Sequence, residues 1–79
     1  MLAYAEYRLF SSLSRFSEIV REVHVSLAAP AIAGEPVVCA VSLFLESGKR
    51  VRVRARGTQA SEAIDRASDR AIRILKKTA

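Results

Sequence analysis

Residues 37–57 read Val-Val-Cys-Ala-Val-Ser-Leu-Phe-Leu-Glu-Ser-Gly-Lys-Arg-Val-Arg-Val-Arg-Ala-Arg-Gly, and the period of this stretch decides the fold. Over 37–45, Val37, Cys39, Val41, Leu43 and Leu45 fall on one side, and Val38, Ala40, Ser42 and Phe44 on the other. Over 50–56, Arg50, Arg52, Arg54 and Arg56 fall on one side, and Val51, Val53 and Ala55 on the other. A period of two is the mark of a β-strand. Between the two runs, Ser47-Gly48-Lys49 is a short turn, with Gly48 free to take a positive φ. The stretch is therefore a hairpin with one apolar face and a strongly cationic strand on the other.

Upstream, Val23, Val25 and Leu27 alternate with Glu22, His24 and Ser26, which predicts a further half-buried strand. The connection runs through Ala28 to Pro36, where two prolines and one glycine specify a loop. Before that strand, Leu2, Ala5, Leu9, Leu13, Phe16 and Val20 recur at three- and four-residue steps, with Phe10 beside them. This predicts an amphipathic helix over 2–16. Ser17-Glu18 ends it, and Ile19-Val20 turns the chain back into the core. Downstream, Gly57-Thr58 breaks the arginine strand. Thr58 is the expected N-cap of a helix over 59–77, and Glu62 suits its first turn. Ala60, Ala63, Ile64, Ala67, Ala71, Ile74 and Leu75 form the inner stripe of that helix, and its small alanines suit close approach to a sheet. The expected fold is α+β and two-layered. It is an α-β-β-β-α antiparallel three-stranded meander with both helices on one face, forming a single domain over 1–79.

The 79 residues carry a net charge of +5, unevenly placed. Residues 1–46 hold three arginines against five glutamates, and residues 47–79 hold ten Lys or Arg against three acids. A field segregated in this way attracts nucleic acid or an anionic membrane surface. No apolar run approaches the roughly 20 residues of a membrane span, and no basic-then-apolar leader opens the chain. Cys39 is alone, which fits a reducing, cytoplasmic setting. No cofactor is expected, because the three glycines are scattered turn residues and His24 has no partner in metal-ligand spacing.

Two basic arrays are the candidate sites. Arg50, Arg52, Arg54 and Arg56 stand about 7 Å apart along one strand. Arg66, Arg70, Arg73 and Lys77 follow at steps of four, three and four, a row on the outer face of the last helix with Lys76 close by. Either array also reads as a solvated surface, since Glu62–Arg66 and Asp69–Arg73 are helix pairs of the usual spacing. Asp65 and Asp69 are expected to order neighbouring arginines. Tyr4 and Tyr7 read as the edge of a core, although tyrosine also stacks on bases. Cys39, inward on the central strand, reads as a small buried hydrophobe. No base, nucleophile or metal set stands at workable spacing, so the chain is not read as an enzyme.

Three features resemble the ribosome hibernation-promoting factor family, the small bacterial proteins that sit on the small ribosomal subunit in stationary phase. One is Arg15-Phe16 followed by Ile19 and Val23-His24-Val25. Another is the hairpin ending in a Val-x-Val-x-Ala strand and a small polar turn. The third is Ala63-Ile64-Asp65, then Asp69-Arg70, Arg73 and Leu75-Lys76-Lys77. The resemblance implies binding to 16S ribosomal RNA in the decoding region, across the mRNA and tRNA path, and a block on translation. Arg70, Arg73, Lys76 and Lys77 match that family's basic last helix. Arg66 extends the row, and Arg50 to Arg56 are this sequence's own addition. Family members have the order β-α-β-β-β-α, and this chain begins where the first helix would. The strand carrying Val23, Val25 and Leu27 is then expected to be an open edge that invites a second copy. The order α-β-β-β-α is also that of a double-stranded-RNA-binding domain, whose last helix opens with a lysine-bearing loop; residues 57–61 have no lysine. A protein–protein dimerisation module with no nucleic acid is the alternative from another class.

Overall fold

The apolar side of residues 37–45 becomes the floor of the core. In the computed structural model, which describes residues 2–78, helix α1 (Leu2–Leu13) leads through a 3-10 turn (Ser14–Phe16) to strands β1 (Val20–Ala28), β2 (Val37–Leu45) and β3 (Arg50–Gly57), then helix α2 (Ala60–Thr78). The sheet is antiparallel in the order β1-β2-β3. Its register stacks Val25, Val41 and Val53 in one inward row, and Val23, Leu43 and Val51 in another. On the outward side, Ser42 lies between His24 and Arg52, and Phe44 between Glu22 and Arg50. Cys39, Val41 and Leu43 are buried under both helices, so the expected α+β meander with its helices on one face is what the chain forms.

The first helix tightens earlier than its apolar spacing predicts. Ser14 Oγ donates to the Ser11 carbonyl, and the Ser17 amide donates to Ser14 O, three residues back. Serines compete in this way with the regular helical bond. The Ile19 amide then donates to Phe16 O, and Ile19 and Val20 pack on the core as expected. Two aromatic readings need correction. Phe10, expected beside the inner stripe, is 80% exposed, and Tyr7 is 71% exposed instead of finishing a core edge. The side chain of Leu2, expected on that stripe, lies outside the described residues.

Between β2 and β3, Gly48 takes a φ of 91°, and its amide donates to Leu45 O at 2.9 Å. At the other end of β3 the helix start differs from expectation. Thr58 does not cap with its hydroxyl oxygen. Instead the Glu62 carboxylate reaches back and accepts from the Thr58 amide at 2.8 Å, with the Thr58 hydroxyl at 3.4 Å from the same oxygen. Gln59, whose carbonyl accepts from the Ala63 amide at 3.1 Å, is the cap residue, so Glu62 reaches one residue beyond it. The helix begins at Ala60, one residue after the patterned start.

The alanine stripe does what its size allows. Ala63, Ala67 and Ala71 are fully buried, as are Ile64 and Leu75, while Ala60 and Ile74 are half-buried. Ser68, absent from the expected stripe, is buried as well, and its Oγ lacks a hydrogen-bond partner among the described residues. Cys39 is a buried free thiol whose pKa is pushed up by loss of solvent, as a structural cysteine's should be.

The β3–α2 junction is the tightest approach. A methyl group on Gly57 would lie 2.6 Å from the Ala63 amide nitrogen and 3.0 Å from Gln59 O, both rigid backbone. Gly57→Ala is expected to lower unfolding free energy by about 1–3 kcal/mol, read as an earlier midpoint in urea. Ser68→Ala should leave stability unchanged or raise it by up to about 1 kcal/mol in the same titration, because it removes a buried hydroxyl with no partner.

Candidate nucleic-acid interface

The pleat of β3 places Arg50, Arg52, Arg54 and Arg56 on the outer sheet face, all exposed. The neighbouring outward positions of β2 are Val38, Ala40, Ser42 and Phe44, none of them acidic. On β1, Glu22 is engaged by His24, with Oε2 and Nε2 3.2 Å apart. Arg52, Arg54 and Arg56 therefore have no carboxylate partner among the described residues. Arg50 sits 5.0 Å over the Phe44 ring, and His24 meets the same ring edge-on at 5.3 Å. One end of the arginine strand is thus held by a cation–π contact.

The helix arginines do not simply point to solvent. Arg66 Nη1 donates to Arg56 O at 2.8 Å, and Arg70 Nη1 donates to Arg54 O. Both side chains lie across the free edge of β3 and satisfy carbonyls that no strand pairs. Arg66 also stands 3.6 Å from the Glu62 carboxylate, the expected i,i+4 pair. Two arrays that are separate in sequence thereby meet. Arg54, Arg56, Arg66 and Arg70 line one cleft of about 380 Å³. Arg52, Arg54 and Arg70 border a broader depression of about 730 Å³, floored by Ala40 and Ser42. Arg73, Lys76 and Lys77 are exposed further along α2, and they are not drawn into either hollow.

The aspartates of α2 serve a different arginine from the ones expected. Arg8 of α1 places Nε 3.1 Å from Asp65 Oδ1 and Nη2 3.6 Å from Asp69 Oδ1, with Nη1 donating to Ser12 Oγ. The Tyr4 hydroxyl donates to the same Asp65 oxygen at 2.9 Å. The anticipated Asp69–Arg73 pair does not form. Spacing alone favoured it, but Arg8 offers both acids one guanidinium from across the helix–helix contact. The consequence is electrostatic: two of the three acids in residues 47–79 are turned towards α1, away from the β3 arginines. Among the described residues, no group of three or more His, Cys, Asp or Glu is placed to hold a metal ion.

The molecule is a small two-layer α+β protein whose sheet edge and last helix share one cationic side. The family model described as sigma 54 modulation protein / S30EA ribosomal protein matches residues 1–79, and the chain belongs to that family of ribosome-associated factors. This is the family that the sequence resembles. Comparison with curated proteins gave no match.

The Tyr4–Asp65 contact has a pH signature. The hydrogen bond to Asp65 is the main cause, with partial desolvation and the Asp65 charge behind it, that raises the Tyr4 pKa above the usual 10.0. A folded value above the unfolded one means that the contact stabilises below the ordinary phenol range. It is lost as pH rises through the raised folded value. Asp65→Asn should bring the Tyr4 midpoint, followed by its ring resonances in NMR, down towards an ordinary phenol. Arg8→Ala should cost only about 0.2–1 kcal/mol in a denaturant titration, since its partners are partly exposed.

Proposed function

We propose that the chain is a translation-regulating hibernation factor that binds 16S ribosomal RNA of the small subunit. In this reading it lies across the mRNA and tRNA path of the decoding region and works in the cytoplasm, without a cofactor. The observation that carries it is the meeting of Arg54 and Arg56 with Arg66 and Arg70 on one side of the fold, with two of the nearby acids engaged by Arg8. Arg50, Arg52, Arg73, Lys76 and Lys77 extend that surface. Membership of a ribosome-associated family supports the same partner.

The physics suits folded RNA. Such RNA is recognised through backbone and shape by fixed arrays of cations. Arg66 and Arg70 are already ordered by the carbonyls of β3, so less side-chain freedom is lost when a phosphate arrives. Each guanidinium keeps further donors for a phosphate while one N–H serves the backbone.

Two outcomes are expected. Affinity for small subunits should fall with salt, by roughly 0.7 to 0.9 in log K per unit log salt for each phosphate held. Unchanged affinity between low and moderate salt would contradict the reading. The double variant Arg70→Glu/Arg73→Glu should lose co-sedimentation with small subunits while its circular dichroism stays that of the parent, because both side chains are exposed and leave no core volume empty. If it still pellets at the parent level, α2 is not the binding face.

A further inference from the structure

The outer face of the sheet carries a hollow beside the edge cleft, and its two walls differ in chemistry. The register sets His24, Ser42 and Arg52 in one outward row, and Ser26, Ala40 and Arg54 in the next. Ala40 and Ser42 are small, so the middle strand lies low between longer side chains on β1 and β3. The result is the depression of about 730 Å³, a size usual for small-ligand sites. On the β3 side Arg52 and Arg54 wall it, with Arg70 reaching in from α2, and no acid lines it. On the β1 side the wall is the imidazole of His24 and the hydroxyl of Ser26. The His24 ring is braced, with Nε2 3.2 Å from Glu22 Oε2 and the Phe44 ring edge-on at 5.3 Å, yet the side chain is 65% exposed. The edge cleft has no such ring: four arginines line it, beside Val38 and Ala55.

We propose that this hollow takes one unpaired nucleotide of a single-stranded RNA, with its base against His24 over Ala40 and Ser42 and its phosphate on Arg52 and Arg54. The site rests on the RNA-binding reading above and deepens it: a base enters here, whereas the edge cleft takes backbone phosphate. A phosphate alone would use only one wall. A nucleotide is planar and uncharged at one end and anionic at the other, which matches the two walls in kind. The walls stand two strand spacings apart, about 9.5 Å, which leaves room for a flat ring over the low strand. An aromatic ring beside a cationic track is how single strands are held, because every base has a stacking face. Bases inside a duplex are stacked on one another and are not free to lie against His24. Ser26 and Ser42 add hydroxyls that both donate and accept, so they suit more than one base edge. Glu22 and Phe44 hold the His24 ring before a base arrives, so less side-chain freedom is lost on binding. Arg54 and Arg70 border both hollows, so the backbone of the same strand continues from the sheet face over the β3 edge into the cleft.

The experiment uses the full chain and two fluorescently labelled probes, an adenylate RNA hexamer and a hexamer of the same ribose-phosphate backbone without bases. At equal salt the adenylate hexamer is expected to bind about tenfold more tightly than the abasic one. His24→Ala should bring the adenylate hexamer down to the abasic level. Ala40→Leu, which fills the floor from the outer face, should do the same with parent-like circular dichroism. His24→Phe should keep the preference, since it retains a ring and, like His24→Ala, releases Glu22. Equal affinity for the two hexamers overturns the proposal, and so does a loss of preference in His24→Phe equal to that in His24→Ala. Small-subunit binding separates the two failures. If the hexamers bind equally while small subunits are still bound in a salt-dependent way, the base site falls and the hibernation reading stands. If the base preference holds while small subunits are not bound, the hibernation reading falls and the base site stands. If Ala40→Leu unfolds the chain, the two His24 variants decide.

Discussion

The inner side of β2 is flanked by a strand on each edge and roofed by two helices, and every other element takes its place from that burial. Cys39, Val41 and Leu43 are at most 1% exposed, an unusual degree of cover for a chain this short. The cover depends on α2 lying close, and α2 lies close because Ala63, Ala67 and Ala71 present only methyl groups at the contact. Gly57 extends the same economy of volume to the junction, where even one methyl group would strike backbone. A thin core of this kind is held by fit more than by bulk, so modest changes in side-chain volume along the α2 stripe should be strongly felt.

That close seating also makes the cationic surface. With α2 tucked against the sheet beside β3, Arg66 and Arg70 are within reach of Arg56 O and Arg54 O. Their guanidinium groups thus blunt a sheet edge and join a neighbouring row of arginines in a single act. The cost is like charge brought together, and the fold limits it by several means. Arg50 rests on Phe44, Arg66 keeps Glu62 nearby, and the edge carbonyls supply partial negative charge. It does not use Asp65 and Asp69 for the purpose. Those acids clamp α1 through Arg8, so helix docking and surface charge are set by one arrangement.

Among the described residues, no arginine lies across the β1 edge as Arg66 and Arg70 lie across β3. α1 is drawn towards α2 by Arg8 and Tyr4, and the ground it vacates is the groove above Val23 and Val25. The chain thus has a cationic side at β3 and a side of mixed charge at β1. The two lie at opposite edges of one sheet.

Periodicity carried most of the fold. The alternation over 37–45 and 50–56 placed the hairpin, its turn at Gly48 and its inward residues, because strand period and burial are local consequences of side-chain order. The alanine stripe of α2 was legible for the same reason, and so was the burial of Cys39. Spacing also found the basic residues, yet it set Arg66 and Arg70 in a row on the outer face of the helix, apart from the strand arginines, and paired Asp69 with Arg73. It also laid Phe10 against the core. Those points depend on which surfaces face each other across 10 to 61 residues of chain, as Arg66 meets Arg56 and Tyr4 meets Asp65. Local sequence determined which residues were cationic, apolar or small. Only the packing of α1 and α2 on the sheet decided which charges would meet and which carbonyls of the β3 edge would be covered.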